Sequence, residues 1–284
     1  MKTIGEVIQL SADYLSPRKI ERPKRAAEDL LSHVLKLKRM ELYLQFDKPV
    51  VEAELEILRK LLARAGKGEP LQYVLGEVDF YGCKIKIDPR VLIPRPETEI
   101  LVDLIAKRLN KGVLWDICTG SGSIGIALKK AHPELQVTLS DISSHALALA
   151  AENAKLNDVD VALLQGDLLS PFKGQKADII VCNPPYISQE EYLQLDPSVR
   201  DYEPKLALVG GESGIEFYER LAREMPAYLN PGGQAFFEIG STQGPVLQKL
   251  FPEGELLNDW AGHPRFFIWQ TAATSTGCST IAPV

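Results

Sequence analysis

The chain has no apolar run near the ~20 residues that a membrane-spanning helix needs. The strand-like stretch 177–182 is far too short. The first residues, Met1-Lys2-Thr3-Ile4-Gly5-Glu6, reach an acid before any long apolar stretch, so no secretory leader is expected. Cysteine is scarce: Cys83, Cys118, Cys182 and Cys278 lie far apart, with no C-x-x-C and no histidine at ligand spacing. That excludes a zinc ribbon or a disulfide scaffold, and predicts a cytoplasmic protein without a metal site. The four histidines (His33, His132, His145, His263) fall in no motif. No repeat period is present. Excess positive charge is also missing: 32 basic against 38 acidic residues give −6, which argues against a generic nucleic-acid binder.

What is there suits a soluble globular chain of about two domains: 284 residues, 45% hydrophobic and 25% charged. The charge is uneven. Residues 1–70 carry 14 basic and 11 acidic side chains, net +3, and the rest carries −9. A basic front end is either a partner surface or ordinary solvated scatter.

Periodicity divides the chain. In residues 1–70, apolar side chains recur at helical spacing: Ile4, Val7, Ile8 and Leu15; Ala26, Ala27, Leu30, Leu31, Val34 and Leu35; Leu55, Leu58, Leu61 and Leu62. Pro23 suits a helix start, and Gly66 and Gly68 suit a helix end. This predicts a small helical bundle. Residues 71–93 read as a β-hairpin linker, with strands over 72–81 and 83–87 around Tyr81-Gly82. Leu92-Ile93-Pro94-Arg95-Pro96 is extended, because each proline keeps its predecessor out of the α region. From residue 94 to about 270, strands (113–117, 137–140, 161–164, 177–182, 234–239) alternate with helices (97–109, 123–131, 144–156, 215–229). That order predicts an α/β domain on a mostly parallel sheet. Stretches 256–260 and 266–270 could add two strands. The tail over 271–284 has no periodicity and is expected to be disordered.

The chemistry sits at strand ends. After the first strand comes Asp116-Ile117-Cys118-Thr119-Gly120-Ser121-Gly122-Ser123-Ile124-Gly125. Its glycines let the backbone turn tightly against a ligand, and Gly120-x-Gly122-x-x-Gly125 also matches the dinucleotide fingerprint. Asp141 ends the second strand, where a carboxylate can accept both hydroxyls of a ribose; it could instead cap the next helix. Asp167 follows the third strand, where it either reaches the exocyclic amine of an adenine or serves a turn. The fourth strand runs into Asn183-Pro184-Pro185-Tyr186. Two prolines fix the backbone, the Pro184 carbonyl and the Asn183 side chain are acceptors, and Tyr186 offers an aromatic face. Together they suit a planar group bearing an NH2.

These strings resemble the successive motifs of class I S-adenosylmethionine methyltransferases that act on amino groups. With Ile93-Pro94-Arg95-Pro96-Glu97-Thr98-Glu99, Glu203-Pro204…Gly210-Gly211…Gly214 and Glu238-Ile239-Gly240…Gln243, the chain resembles the HemK/PrmC family of release-factor glutamine methyltransferases. The likeness covers about residues 1–270 and is most specific over 93–240. It implies a Rossmann-like sheet behind a small helical bundle. It also implies S-adenosyl-L-methionine as cofactor, held by Thr119, Gly120, Ser121, Gly122, Asp141, Asp167, Asn183, Arg95 and Pro96. The implied substrate is the glutamine of the Gly-Gly-Gln loop of peptide-chain release factors, taken by Asn183, Pro184, Pro185 and Tyr186, with no direct nucleic-acid partner and no membrane. An adenine-N6 DNA or RNA methyltransferase is the alternative use of the same cradle. One departure stands out: Cys118 occupies a position where the family usually has glycine, and its side chain is expected to crowd the cofactor or force a negative φ. The chain's own Gly232-Gly233-Gln234 is read as a turn before the fifth strand.

Overall fold

The computed structural model describes residues 1–18, 20–109 and 111–273. The expectation of a disordered tail lies, from residue 274 on, outside these residues.

The front end is a helical bundle: α1 (Ile4–Leu15), α2 (Pro23–Leu35), α3 (Arg39–Leu44), α4 (Glu52–Ala65) and α5 (Leu71–Leu75). Thr3 and Glu6 form a reciprocal cap on α1, satisfying donors that the first turn leaves free. The expected apolar stripes close on one another, with Ile4, Ile8, Leu15, Leu30, Leu31 and Leu58 all buried in one cluster. Residues 72–75 are helical rather than extended. Pro70 precedes this short turn of helix, and Gly76, at φ 79°, ends it in the left-handed region. The hairpin is therefore shorter than the sequence suggests: β1 (Glu77–Phe80) and β2 (Cys83–Lys86). Its loop is Tyr81 (φ 43°) and Gly82 (φ 73°), two left-handed residues whose twist matches that of the strands.

The second domain alternates as expected: α6 (Pro96–Ala106), β3 (Gly112–Ile117), α7 (Ser123–Ala131), β4 (Leu135–Asp141), α8 (Ser144–Leu156), β5 (Ala162–Gln165) and β6 (Ala177–Cys182). Three short helices, α9 (Gln189–Gln194), α10 (Pro197–Arg200) and α11 (Lys205–Leu208), follow. Then come α12 (Glu216–Glu224), β7 (Leu229–Glu238), α13 (Gly244–Leu250), β8 (Glu255–Asn258) and β9 (Pro264–Gln270). Among the described residues the sheet order is β5-β4-β3-β6-β7-β9-β8. The first five are parallel; β9 runs antiparallel to β7, and β8 antiparallel to β9. The chain winds outward from β3 to β5, then crosses to β6 on the other side of β3. The crevice between β3 and β6, at the carboxyl ends, is where such sheets take ligands. Gly232-Gly233-Gln234 is not a turn before β7 but part of it. The strand starts at Leu229 and absorbs the segment through a register shift opposite Ala177 and Ile179.

Two buried asparagines, Asn153 in α8 and Asn157 at its carboxyl end, tie the hairpin to this domain. Asn153 accepts from the Lys86 N–H at 2.7 Å and donates to the Lys86 carbonyl at 3.0 Å and the Ser121 carbonyl at 2.9 Å. Asn157 treats Lys84 the same way, at 3.2 and 2.7 Å. The side-chain amides thus pair the free edge of β2 as a neighbouring strand would. Asn153→Ala would strand three backbone groups. It should cost about 2–4 kcal/mol in urea unfolding; a loss below about 0.5 kcal/mol would show the clasp to be incidental.

Candidate active site

The loop after β3 is held from beneath by carboxylates. Asp116 is fully buried; its Oδ2 accepts from the Thr119 hydroxyl at 2.6 Å and from the Gly125 N–H at 2.9 Å. Its Oδ1 is buried without a partner. Burial pushes its carboxyl up to about 7, against the pull of those two donors. Gly125 is required by close approach: a Cβ there would lie 2.2 Å from Leu139 Cδ2. Cys118, Gly120 and Gly122 are all left-handed, at φ 57°, 55° and 80°. The expectation that a cysteine would force a negative φ at 118 is therefore wrong. The loop geometry persists, and Cys118 takes on the strain a glycine would escape.

Asp141 is not the cap of α8; Ser143 is, accepting from the Ala146 N–H. Asp141 accepts from the Gly120 N–H with Oδ2 and from the Ser143 N–H with Oδ1, each at 2.9 Å. Burial raises its carboxyl while these donors oppose the rise. It remains on the wall of a cavity of about 330 Å³ at the switch point. Thr119, Gly120, Ser121, Asp141, Asp167, Asn183, Pro185 and Arg95 all reach that cavity. Four expected residues do not line it: Gly122 is buried at the start of α7, Pro96 is exposed at the first turn of α6, Pro184 is buried behind its neighbours, and Tyr186 lines a separate cavity. Apolar walls come from Ile124, Ile142, Leu206 and Phe217, which suits a flat ring. Leu206 carries no signal in the sequence, and Phe217 stands there only as the end of the family string that begins at Glu203. Asp167 is engaged by Arg220 at 2.8 and 3.2 Å, a partner that sequence reading missed because 53 residues separate them.

The Asn183–Tyr186 turn forms the wall beyond β6. Asn183 and Pro185 face the cavity, whereas Tyr186 turns away, towards Glu238 and Arg265. Burial, then the Glu238 charge, pushes the Tyr186 phenol up to about 12, so it stays protonated. The family strings at 93–99, 203–214 and 238–243 turn out to be clasps on this wall. Glu203 is buried; it accepts from the Ile93 N–H at 3.0 Å and from Arg95 at 2.6 Å. Thr98 donates to the buried Glu238 at 2.6 Å. Gln243 donates to the Tyr186 carbonyl at 2.9 Å and the Gly214 carbonyl at 3.1 Å, and accepts from the Gly240 N–H at 2.8 Å. Gln243 was visible in sequence as part of a string, without a role. Cys182 is fully buried and its thiol is pushed up by burial, with Cys118 adding to the rise, so it behaves as a small apolar side chain.

A glycine loop under a parallel sheet's switch point, beside a proline-fixed acceptor wall, defines a Rossmann-like methyltransferase. Residues 96–196 match the methyltransferase small domain model and residues 6–76 the PrmC N-terminal domain model. The chain is 41% identical to the release factor glutamine methyltransferase of Chlamydia trachomatis serovar D over 276 residues, 94% of each chain. It is 41% identical to that of Geobacter sulfurreducens, covering 88% of each, and 39% identical to that of Bacillus cereus, covering 89% and 93%. The chain belongs to the release factor glutamine methyltransferase family. The fold is shared with a Pyrococcus furiosus methyltransferase at TM-score 0.50 and 18% identity, covering 78% of this chain and 100% of that one. It is also shared with the Thermus thermophilus 16S rRNA N2 G1207 methyltransferase at TM-score 0.50 and 14% identity, covering 69% and 49%.

Two measurements test this geometry. Cys118→Gly removes a left-handed side chain and should raise unfolding free energy by about 1 kcal/mol; a clear loss would mean that packing of the thiol outweighs the strain. Asp116 has a folded pKa above its unfolded value, so its contribution is full below about pH 4 and disappears as pH rises through 7. Asp116→Asn should therefore gain on the wild type as pH rises from about 4 to about 7, by up to ~1.4 kcal/mol per pH unit, and level off above the folded pKa. A pH-independent difference would contradict the burial argument.

Proposed function

We propose that this chain transfers a methyl group from S-adenosyl-L-methionine to the side-chain amide nitrogen of the glutamine in the Gly-Gly-Gln motif of peptide-chain release factors. The observation that carries the reading is the Asn183–Tyr186 wall. Asn183 lines a cavity floored by a glycine loop, and the carbonyl of Pro184, the next residue, takes no hydrogen bond from the backbone of the described residues.

The cavity fits the cofactor. Its floor brings backbone close to a ligand at Thr119, Gly120 and Ser121, its apolar walls suit an adenine, and the Asp141 and Asp167 carboxylates suit ribose hydroxyls and an exocyclic amine. When bound, S-adenosyl-L-methionine supplies an electrophilic methyl group on a sulfonium. The protein's task is the acceptor. An amide nitrogen is a poor nucleophile because its lone pair is delocalised into the carbonyl. Asn183 Oδ1 and the Pro184 carbonyl accept the two amide hydrogens and fix where the lone pair points. The same acceptors stabilise positive charge as it grows on nitrogen. Orientation of this kind is worth several kcal/mol, up to roughly 7–11 in well-aligned systems. Tyr186 is protonated and acts as a wall, not a base; the proton released from nitrogen passes to water.

The helical front end supplies the partner surface in this reading. Its net charge is +3, and Met40 and Leu44 of α3 lie exposed beside Lys38 and Arg39. Among the described residues, no helix is long and apolar enough to cross a membrane.

The test is transfer of labelled methyl to release factor, with duplex DNA as a parallel acceptor. Mass should appear on the loop glutamine; label on adenine instead would overturn the substrate. Asn183→Ala should lower kcat by about 10²–10³, the usual cost of losing one transition-state partner, and leave cofactor affinity nearly unchanged by calorimetry. Weaker cofactor binding with kcat preserved at saturating cofactor would mean that Asn183 serves the cofactor and not the acceptor amide.

A further inference from the structure

A second cavity, of about 380 Å³, opens on the same edge of the sheet. The cofactor cavity stands over the ends of β3, β4, β5 and β6. This one stands over the ends of β6 and β7 and the start of β9, lined by Tyr186, Glu191, Gln194, Ser241, Thr242 and Arg265 among others. The Asn183–Tyr186 turn is the partition. Asn183 and Pro185 face one side and Tyr186 the other. An amide held at Asn183 and Pro184 thus sits at the boundary, and the main chain that bears it has to continue along the surface.

Arg265 is the charged group in that space with donors to give. Among the described residues its guanidinium makes one hydrogen bond, from Nη1 to the Ile239 carbonyl at 3.3 Å. Its Nε is buried without a partner, and the nearest Asp259 oxygen is 3.7 Å away, too far for a hydrogen bond. A guanidinium carries five N–H donors in a fixed fork, so this one has capacity for an entering acceptor. It also lies against Tyr186, whose phenol it lowers. Two large apolar side chains stay in water close by in sequence to the lining: Leu193, 70% exposed, between Glu191 and Gln194 of α9, and Trp260, 85% exposed, next to Asp259 in the β8–β9 turn.

We propose that this second cavity is the subsite for the main chain of the substrate loop beside its acceptor glutamine, with the Arg265 guanidinium donating to a peptide carbonyl of that loop. The assignment rests on the protein-amide reading above and commits it to an orientation: side chain into the Asn183–Pro184 cradle, backbone across Tyr186 towards β9. Small residues suit the cavity, because a main chain without side chains can approach the guanidinium closely.

Steady-state methyl transfer to full-length release factor tests it, using the full-length enzyme. Thr242 is exposed, so Thr242→Trp fills the cavity without disturbing the core. It should raise KM for release factor at least 10-fold with kcat within 2-fold and cofactor affinity unchanged, the pattern of lost uniform binding. Arg265→Met keeps the side chain's bulk and removes its donors; it should raise KM about 10-fold, with Arg265→Lys restoring part of the loss. An unchanged KM in Thr242→Trp overturns the subsite, as does a fall in kcat with KM constant, which would mean that the cavity only supports the cradle. A wild-type enzyme that leaves release factor unlabelled removes the protein-amide reading and the subsite with it. Labelling by the wild type with no KM change in the variants removes the subsite alone.

Discussion

Asp116 sits near the end of β3, fully buried and with one unpartnered oxygen, and the loop above it is hung from its other oxygen. A buried carboxylate is costly, and burial accordingly raises its pKa far above that of a free aspartate. The cost is tolerated because the loop has little else to hold it. Glycines give up side-chain packing so that backbone can face a ligand, and a chain without side chains has to be fixed through its N–H groups. Asp116 takes the Gly125 N–H from below, Asp141 takes the Gly120 N–H from the side, and Asn153 holds the Ser121 carbonyl from α8. The cofactor floor is therefore rigid before anything binds.

The wall across the crevice follows the same logic with different residues. Two prolines leave the Asn183–Tyr186 turn few conformations, but they do not attach it to the rest of the protein. Gln243 does so through the Tyr186 carbonyl, and the 203–214 segment closes over it, where a Cβ on Gly210 would meet the Pro185 carbonyl at 2.3 Å. Glu203 then reaches back to Ile93 and Arg95, and Thr98 to Glu238. Residues that look like separate short motifs along the chain are one hydrogen-bonded frame around a four-residue turn.

This explains what could be read from sequence and what could not. Strands and helices with a strong period were legible: α7, α8 and β6 fall at the expected bounds because Ser123–Ala131, Ser144–Leu156 and Ala177–Cys182 are framed by clear glycine, serine and asparagine signals. Short elements were not. α5 reads as strand because five residues carry too little period to oppose a run of Tyr and Val, and the start of β7 reads as turn because Pro231-Gly232-Gly233 hides a bulged strand. At the site, residues that bear their own chemistry stood out. Residues whose value comes from a distant partner did not: Arg220 acquires meaning only beside Asp167, and Arg265 only beside Tyr186 and Ile239. Cys118 shows the limit from the other side. Its identity suggested a different backbone, but the hydrogen bonds on either side of it outweigh a local preference of about 1–2 kcal/mol.

Charge follows from the same division of labour. A net of −6 spread evenly would merely keep the protein soluble, but the acidic excess lies in the catalytic domain, which in the proposed reaction receives a cationic cofactor. The front end is net +3 and packs its own core; its ties to the catalytic domain include Tyr73 of α5, which is buried in that domain's core, and the Lys67 carbonyl, which accepts from the Tyr202 hydroxyl at 3.0 Å. The β2 edge is fixed in turn by Asn153, the same side chain that holds the Ser121 carbonyl. The Asn153 side chain therefore serves the hairpin edge and the cofactor floor together, so that one buried amide of α8 fixes both.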